Sequence, residues 1–195
     1  MTEAHQDRIG EVVEANTHNF TVQCYRLYEA PPLGAIVCSV DPSIFAVVSQ
    51  VSTQSLDPGR PVIARGEESQ TIDDVYQSNP QLSRLLCTRF QGLTIGYTAD
   101  EVLVQGLPPL PPRIHAFVYS STPQDVGAIT HSLDFLHTLV SGGVYTSDEV
   151  IVACLRQASS MVTDSSEFLV RAGKILAIEL TGQFARLNAI LKKLT

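Results

Sequence analysis

Apolar and polar positions alternate one for one near the start of the chain. His18, Phe20, Val22 and Cys24 interleave with Asn19, Thr21, Gln23 and Tyr25, the period of a strand with one buried face. The preceding "EANTHN" supplies turn residues, and "EVVEA" before it supplies a hairpin partner. "EAPPLG" then forces an irregular connection, because its prolines remove backbone donors and Gly34 admits a positive φ. "AIVCSV", "SIFAVVSQVST" and a fragment of "LDPGRPVIARG" predict further short strands. "IFAVV" is apolar on both faces, as a strand covered inside and outside would be. In "TIDDVYQSNPQLSRLLCTRF" the period lengthens to that of a helix: Pro80 suits a first turn after Asn79, and Leu82, Leu85 and Leu86 share one face. "GLTIGY" and "EVLVQG" return to strand. Six or seven strands with one inserted helix suffice for a small closed β-barrel.

"LPPLPP", residues 107–112, is a stiff, extended spacer, and "RIHAFVYS" adds a last strand. The chain then turns helical. Thr122 caps a first helix with Pro123 in its first position, and Gly142-Gly143 ends it. Ser147 caps a second, running to about Val162, with Asp148 and Glu149 at its positive end. Asp164 or Ser165 starts a third of about 30 residues, or roughly 45 Å. Its positions Leu180, Phe184, Leu187, Leu191 and Leu194 recur at steps of three and four and form one apolar stripe. A helix that long exceeds what three packed helices need, so its far end either packs on the barrel or meets another chain, and the stripe is the candidate interface. The pattern predicts an α+β protein: a barrel over 1–106, a proline-rich connection and last strand over 107–119, and a tail of about three helices over 120–195.

Composition narrows the function. The 195 residues are 44% hydrophobic and 17% charged, enough apolar content for a real core. The net charge of −7 lies wholly in residues 1–106, which hold 6 basic and 13 acidic residues, whereas residues 107–195 hold 7 of each. An acidic barrel repels phosphate backbones, and the absence of tryptophan removes the strongest stacking platform, so no direct nucleic-acid binding is expected. Apolar runs are too short for a membrane span, and "MTEAHQDRIG" has no basic region followed by an apolar stretch, which points to a cytoplasmic protein. Cys24, Cys38, Cys87 and Cys154 are widely spaced among apolar neighbours and read as buried thiols rather than zinc ligands.

The order of elements carries a resemblance. "RIGEVVEANTHNFTVQC", the strands after "PPLG", "NPQLSRLLCTRFQGLTIGY" and "EVLVQGLPPLPPRIHAFVY" together resemble the HAS-barrel, the N-terminal barrel of HerA-type DNA-translocating ATPases and ATP synthase subunits. The likeness covers about Arg8 to Tyr119. In those relatives the barrel forms a collar on a hexameric ring, and the chemistry lies in a following P-loop domain. Here the nearest fragment to GxxxxGK[ST] is "FLVRAGKI", where Phe168 replaces the first glycine and Ile175 the Ser/Thr, inside the predicted long helix. The resemblance therefore implies a collar without its motor.

No catalytic constellation is visible. His131 and His137 lie about 600° apart on a helix and face different ways, although either can reach Asp134. "GEESQTIDD", residues 66–74, concentrates carboxylates without calcium-loop spacing and reads as a solvated loop entering a helix. His18 and His115 fall in strand-like segments, and no GxSxG elbow occurs. The expectation is a non-enzymatic assembly or adaptor protein with no cofactor or metal, acting on a protein partner or as a homo-oligomer. The alternatives are an accessory subunit of an ATP-driven or DNA-processing machine, or a small-molecule-binding or hydrolytic protein with a site between barrel and tail.

Overall fold

Strand pairing in the computed structural model, which describes residues 8–143 and 146–194, runs in a cycle. β1 (Arg8–Ala15), β2 (Asn19–Cys24), β3 (Ile36–Ser39), β4 (Ile44–Ser55), β5 (Leu86–Ala99), β6 (Val102–Gln105) and β7 (Phe117–Ser120) form one antiparallel sheet in the order β2-β1-β7-β3-β4-β5-β6. β5 also bonds to β2, Asn19 opposite Leu93 through Gln23 opposite Arg89, so six strands join in a ring. β7 links β1 to β3. The ring thus needs residues 117–120, and the proline segment is the crossing from β6, which pairs with β5 outside the ring, to β7.

Alternation along these strands builds two cores. Phe20, Val22, Val37, Ile44, Ala46, Val48, Phe90 and Val118 fill the ring's interior. Ile36, Phe45, Val47, Leu93 and Ile95 point the other way and join the helices in a second core. The double-sided "IFAVV" is accounted for by these two cores: Ile44, Ala46 and Val48 face inward while Phe45 and Val47 face the helices.

Seven helices are present among the described residues: α1 (Ile72–Ser78), α2 (Leu82–Leu85), α3 (Pro123–Ile129), α4 (Phe135–Ser141), α5 (Asp148–Ser159), α6 (Ser165–Glu179) and α7 (Phe184–Leu194). Several segments depart from the sequence expectation. The single inserted helix is two short ones: Thr71, not Asn79, caps the first turn through a capping box with Asp74, and Leu86 already belongs to β5. "PVIARG" forms no strand, since Pro61 offers no donor and no neighbour pairs with it.

Among the described residues the tail holds five helices rather than about three. Thr122 and Asp125 form the expected capping box, with Pro123 in the first turn. That helix stops at Ile129, where the Thr130 hydroxyl donates to the Val126 carbonyl at 2.7 Å and competes with continuation. Leu133 then takes φ +64° while fully buried. Gln105 bridges the break: its Nε2 donates to the Ile129 carbonyl at 2.6 Å, and its Oε1 accepts from the Phe135 amide at 2.7 Å. The expected 30-residue helix is also broken. Its backbone leaves helical geometry at Leu180 and turns through Gly182 at φ +82°, a conformation that glycine adopts without steric cost. α7 then packs on α5 and α6, where Arg186 pairs with Asp148 at 2.8 Å and Lys193 with Glu149. Those carboxylates stand in the first turn of α5, so they also sit at its positive end.

Candidate interaction surface

Beyond the ring, β4 and β5 continue as a two-stranded ribbon from Thr53 opposite Thr88 to Ser55 opposite Leu86. The intervening residues form an arm held by local polar contacts. The Arg60 amide donates to the Asp57 carbonyl, and Asn79 Nδ2 donates to the Val75 carbonyl, both at 3.0 Å. α1 is pinned to the connection after β2 by Tyr76, whose hydroxyl lies 2.5 Å from that of Tyr28 with the rings edge to face. This bond to Tyr28, with some desolvation, pushes the Tyr76 phenol up to about 12.

The arm leaves apolar side chains in water. Val62, Ile63, Leu82, Leu85 and Leu86 line a cleft of about 160 Å³ with Arg60 and Arg65; Arg60 lies 3.6 Å from the exposed Asp57 carboxylate, and Arg65 donates to Asn79 Oδ1 at 3.5 Å. Val62 and Ile63 are exposed, and Leu56 beside Leu85 is exposed as well. Ile72, in the first turn of α1, is 76% exposed. Glu67, Glu68, Asp73 and Asp74 surround it in sequence. One arm therefore carries both a basic-rimmed apolar cleft and an acid-flanked apolar knob.

The five stripe residues of the tail have different fates. Leu180 is buried, Leu187 and Leu194 pack against the helical core, and Leu191 is half-buried where it approaches Gly173. Phe184 is 74% exposed.

The polar residues singled out in the sequence do not converge on one another. His137 Nδ1 lies 2.8 Å from Glu179 Oε2. The His131 carbonyl accepts from Arg171. "FLVRAGKI" lies inside α6 with Phe168 and Ala172 buried, so no loop is available to wrap a phosphate. His115 Nδ1 and the Tyr25 hydroxyl lie 2.9 and 2.8 Å from the two carboxylate oxygens of Glu11, and these contacts, His115 first, hold that carboxyl below its ordinary range. Arg8 stacks 4.0 Å over the Phe117 ring beside them. Among the described residues no group of three or more His, Cys, Asp or Glu is placed to hold a metal ion.

All four cysteines are free; Cys24, Cys87 and Cys154 are buried and Cys38 is half-buried. Burial pushes the thiols of Cys24, Cys38 and Cys154 up to about 11, 12 and 12, which suits packing rather than nucleophilic chemistry. No helix among the described residues is long and apolar enough to cross a membrane. A strand expectation over "RPVIARG" hides the arm, although an apolar pair bracketed by two arginines with no alternation marks it. The sequence matches no protein-family model and no curated protein.

Proposed function

We propose that this chain is a non-enzymatic assembly module that associates with further copies of itself, its ring of strands a small closed barrel of the HAS type and its inserted arm the point of contact. Support for the barrel comes from the six-strand pairing cycle and the resemblance over Arg8 to Tyr119. The observation that carries the assembly reading is the complementarity within one arm. The cleft of Val62, Ile63 and Leu85 is rimmed by Arg60 and Arg65. The exposed Ile72 is flanked by Glu67, Glu68, Asp73 and Asp74. A second copy can seat its Ile72 in the cleft with its carboxylates facing the arginines, burying apolar surface and matching charge. This occupant also reconciles self-association with a net charge of −7, because the contact pairs unlike charges locally.

Size-exclusion chromatography with light scattering tests it. The wild-type chain should run as a multiple of its 21.2 kDa mass, while Ile72→Asp and the double variant Arg60→Glu/Arg65→Glu should each run as monomers with unchanged circular dichroism. A wild-type monomer at every concentration, or an oligomer indifferent to both variants, overturns the reading.

A further inference from the structure

β6 is the strand that the ring leaves open along one side. It pairs with β5 from Val102 opposite Ala99 to Gln105 opposite Gly96, and among the described residues no second strand pairs with it. The parity of that ladder fixes where its backbone points. The Gly106 amide donates to the Ile95 carbonyl at 3.1 Å, which makes these two residues a hydrogen-bonded pair, and in an antiparallel ladder such pairs alternate with unbonded ones. Val104 and Val102 therefore bond to β5, whereas the N–H and C=O of Leu103 and Gln105 point to the free edge. Thr98, opposite Leu103, agrees with this parity: its amide turns to the β4 side and donates to the Ser43 carbonyl at 2.9 Å. None of the four edge groups has a hydrogen-bond partner among the described residues. No proline, lysine or bulge blunts Val102–Gln105, although these are common protections of an exposed edge.

The two residues whose backbone points outward also border open space. Leu103, Gln105, Gly127, Ala128, His131 and Asp134 are among the residues lining a cleft of about 460 Å³ between β6 and the end of α3. Every residue of β6 is at least partly exposed. Small residues keep the helix side of the cleft low, and nothing lies within 4 Å of where a Cβ on Gly127 would stand. The charge of this region is one-sided. Asp134 lines the cleft, and its carboxylate caps no amide of α4. Asp100 and Glu101 form the exposed turn that leads into β6. No lysine or arginine is in the lining, and Arg171 is engaged by the Thr130 and His131 carbonyls.

A donor and an acceptor thus recur at every second residue, roughly 7 Å apart, which is the repeat of an extended chain. We propose that β6 accepts an extended basic peptide as an added strand, the peptide backbone bonding to Leu103 and Gln105 and its lysine or arginine side chains set against Asp134 and Glu101. The backbone pattern selects an extended peptide over a compact ligand, and the carboxylates select its charge.

The test follows amide resonances of the full chain by NMR during titration with acetyl-Lys-Val-Thr-Val-Lys-amide, with its glutamate-flanked counterpart, and with the lysine peptide N-methylated at its three central residues. Saturable shifts centred on Leu103 and Gln105, with both amides slowed in hydrogen exchange, are expected for the lysine peptide. The glutamate peptide should bind about tenfold more weakly, and N-methylation should weaken binding about three- to tenfold for each hydrogen bond removed. The double variant Glu101→Gln/Asp134→Asn, which alters only exposed side chains, should bring the lysine and glutamate peptides within about threefold of each other. Absence of saturable shifts at Leu103 and Gln105, equal binding of the N-methylated peptide, or no preference for lysine over glutamate overturns the proposal. So does protection of both amides in the free chain that disappears on dilution, which would assign the edge to a second copy.

Discussion

Gly34 presses its backbone against the amide nitrogen of Cys154: a Cβ at residue 34 would stand 2.3 Å from that nitrogen and from the Ala153 carbonyl carbon. Two costs fall on any other residue there. The φ of +81° disfavours an L side chain by about 1–2 kcal/mol, and forcing the loop off α5 adds about 1–3 kcal/mol. Gly34→Ala should therefore lose about 3 kcal/mol in urea unfolding. Gly182→Ala is the control, because its φ of +82° is the same but nothing lies within 4 Å; it should lose only about 1 kcal/mol. Equal losses for the two variants would refute the close approach.

Glu11 gives the fold a directional response to acid. Its carboxyl is held below the ordinary glutamate value by the hydrogen bonds from His115 and Tyr25. A lowered folded-state pKa means that the contribution is fully present above the unfolded value and fades as pH falls through the folded one. Glu11→Gln keeps an acceptor for the Tyr25 hydroxyl but removes the titration. Thermal midpoints of wild type and variant should differ at neutral pH, with the wild type higher, and converge between about pH 5 and pH 3. A gap of constant size across that range would show that the carboxylate is not what these contacts favour.

The strands were legible because their signal is local. Phe20, Val22 and Cys24 alternate with polar neighbours in the sequence, and all three are buried in the ring. Capping chemistry was equally readable at Thr122, Ser147 and Asp164, each of which accepts from an amide of its helix. Helix ends were harder. Nothing in "GAITHSLDFL" separates one helix from two, because the break is set by Gln105, a residue 25 positions before Thr130 whose amide satisfies both cut ends. Glycine at 182 was visible, yet a single glycine inside an apolar period is compatible with a continuous helix. What decides against continuity is the partner α7 finds on turning back, the Asp148 and Glu149 carboxylates.

The candidate surface was legible only in its chemistry. Carboxylates around Ile72 are plain in "EESQTIDD", but their relation to Arg60 and Arg65 depends on the arm's fold. Ser121 shows the same limit: as a residue in "SST" it reads as turn chemistry, and only burial reveals a hydroxyl without a partner among the described residues.

Leu180 and Phe184 measure the tail directly. In one straight helix, residues four apart share a face, and the two side chains would be buried or exposed together. Here Leu180 is 1% exposed and Phe184 74%, since the turn at Gly182 falls between them. Leu180→Ala should cost about 2–4 kcal/mol, the range for removing a buried leucine side chain. Phe184→Ser should change stability by less than about 0.5 kcal/mol, as surface substitutions do. Both are read from urea midpoints in the Ile72→Asp background, the variant expected to run as a monomer, which keeps association from entering the comparison. Similar losses at the two positions would restore the continuous helix, whereas a loss confined to Leu180 places the turn at Gly182 in solution and leaves the tail bound to the core along Leu187 and Leu194.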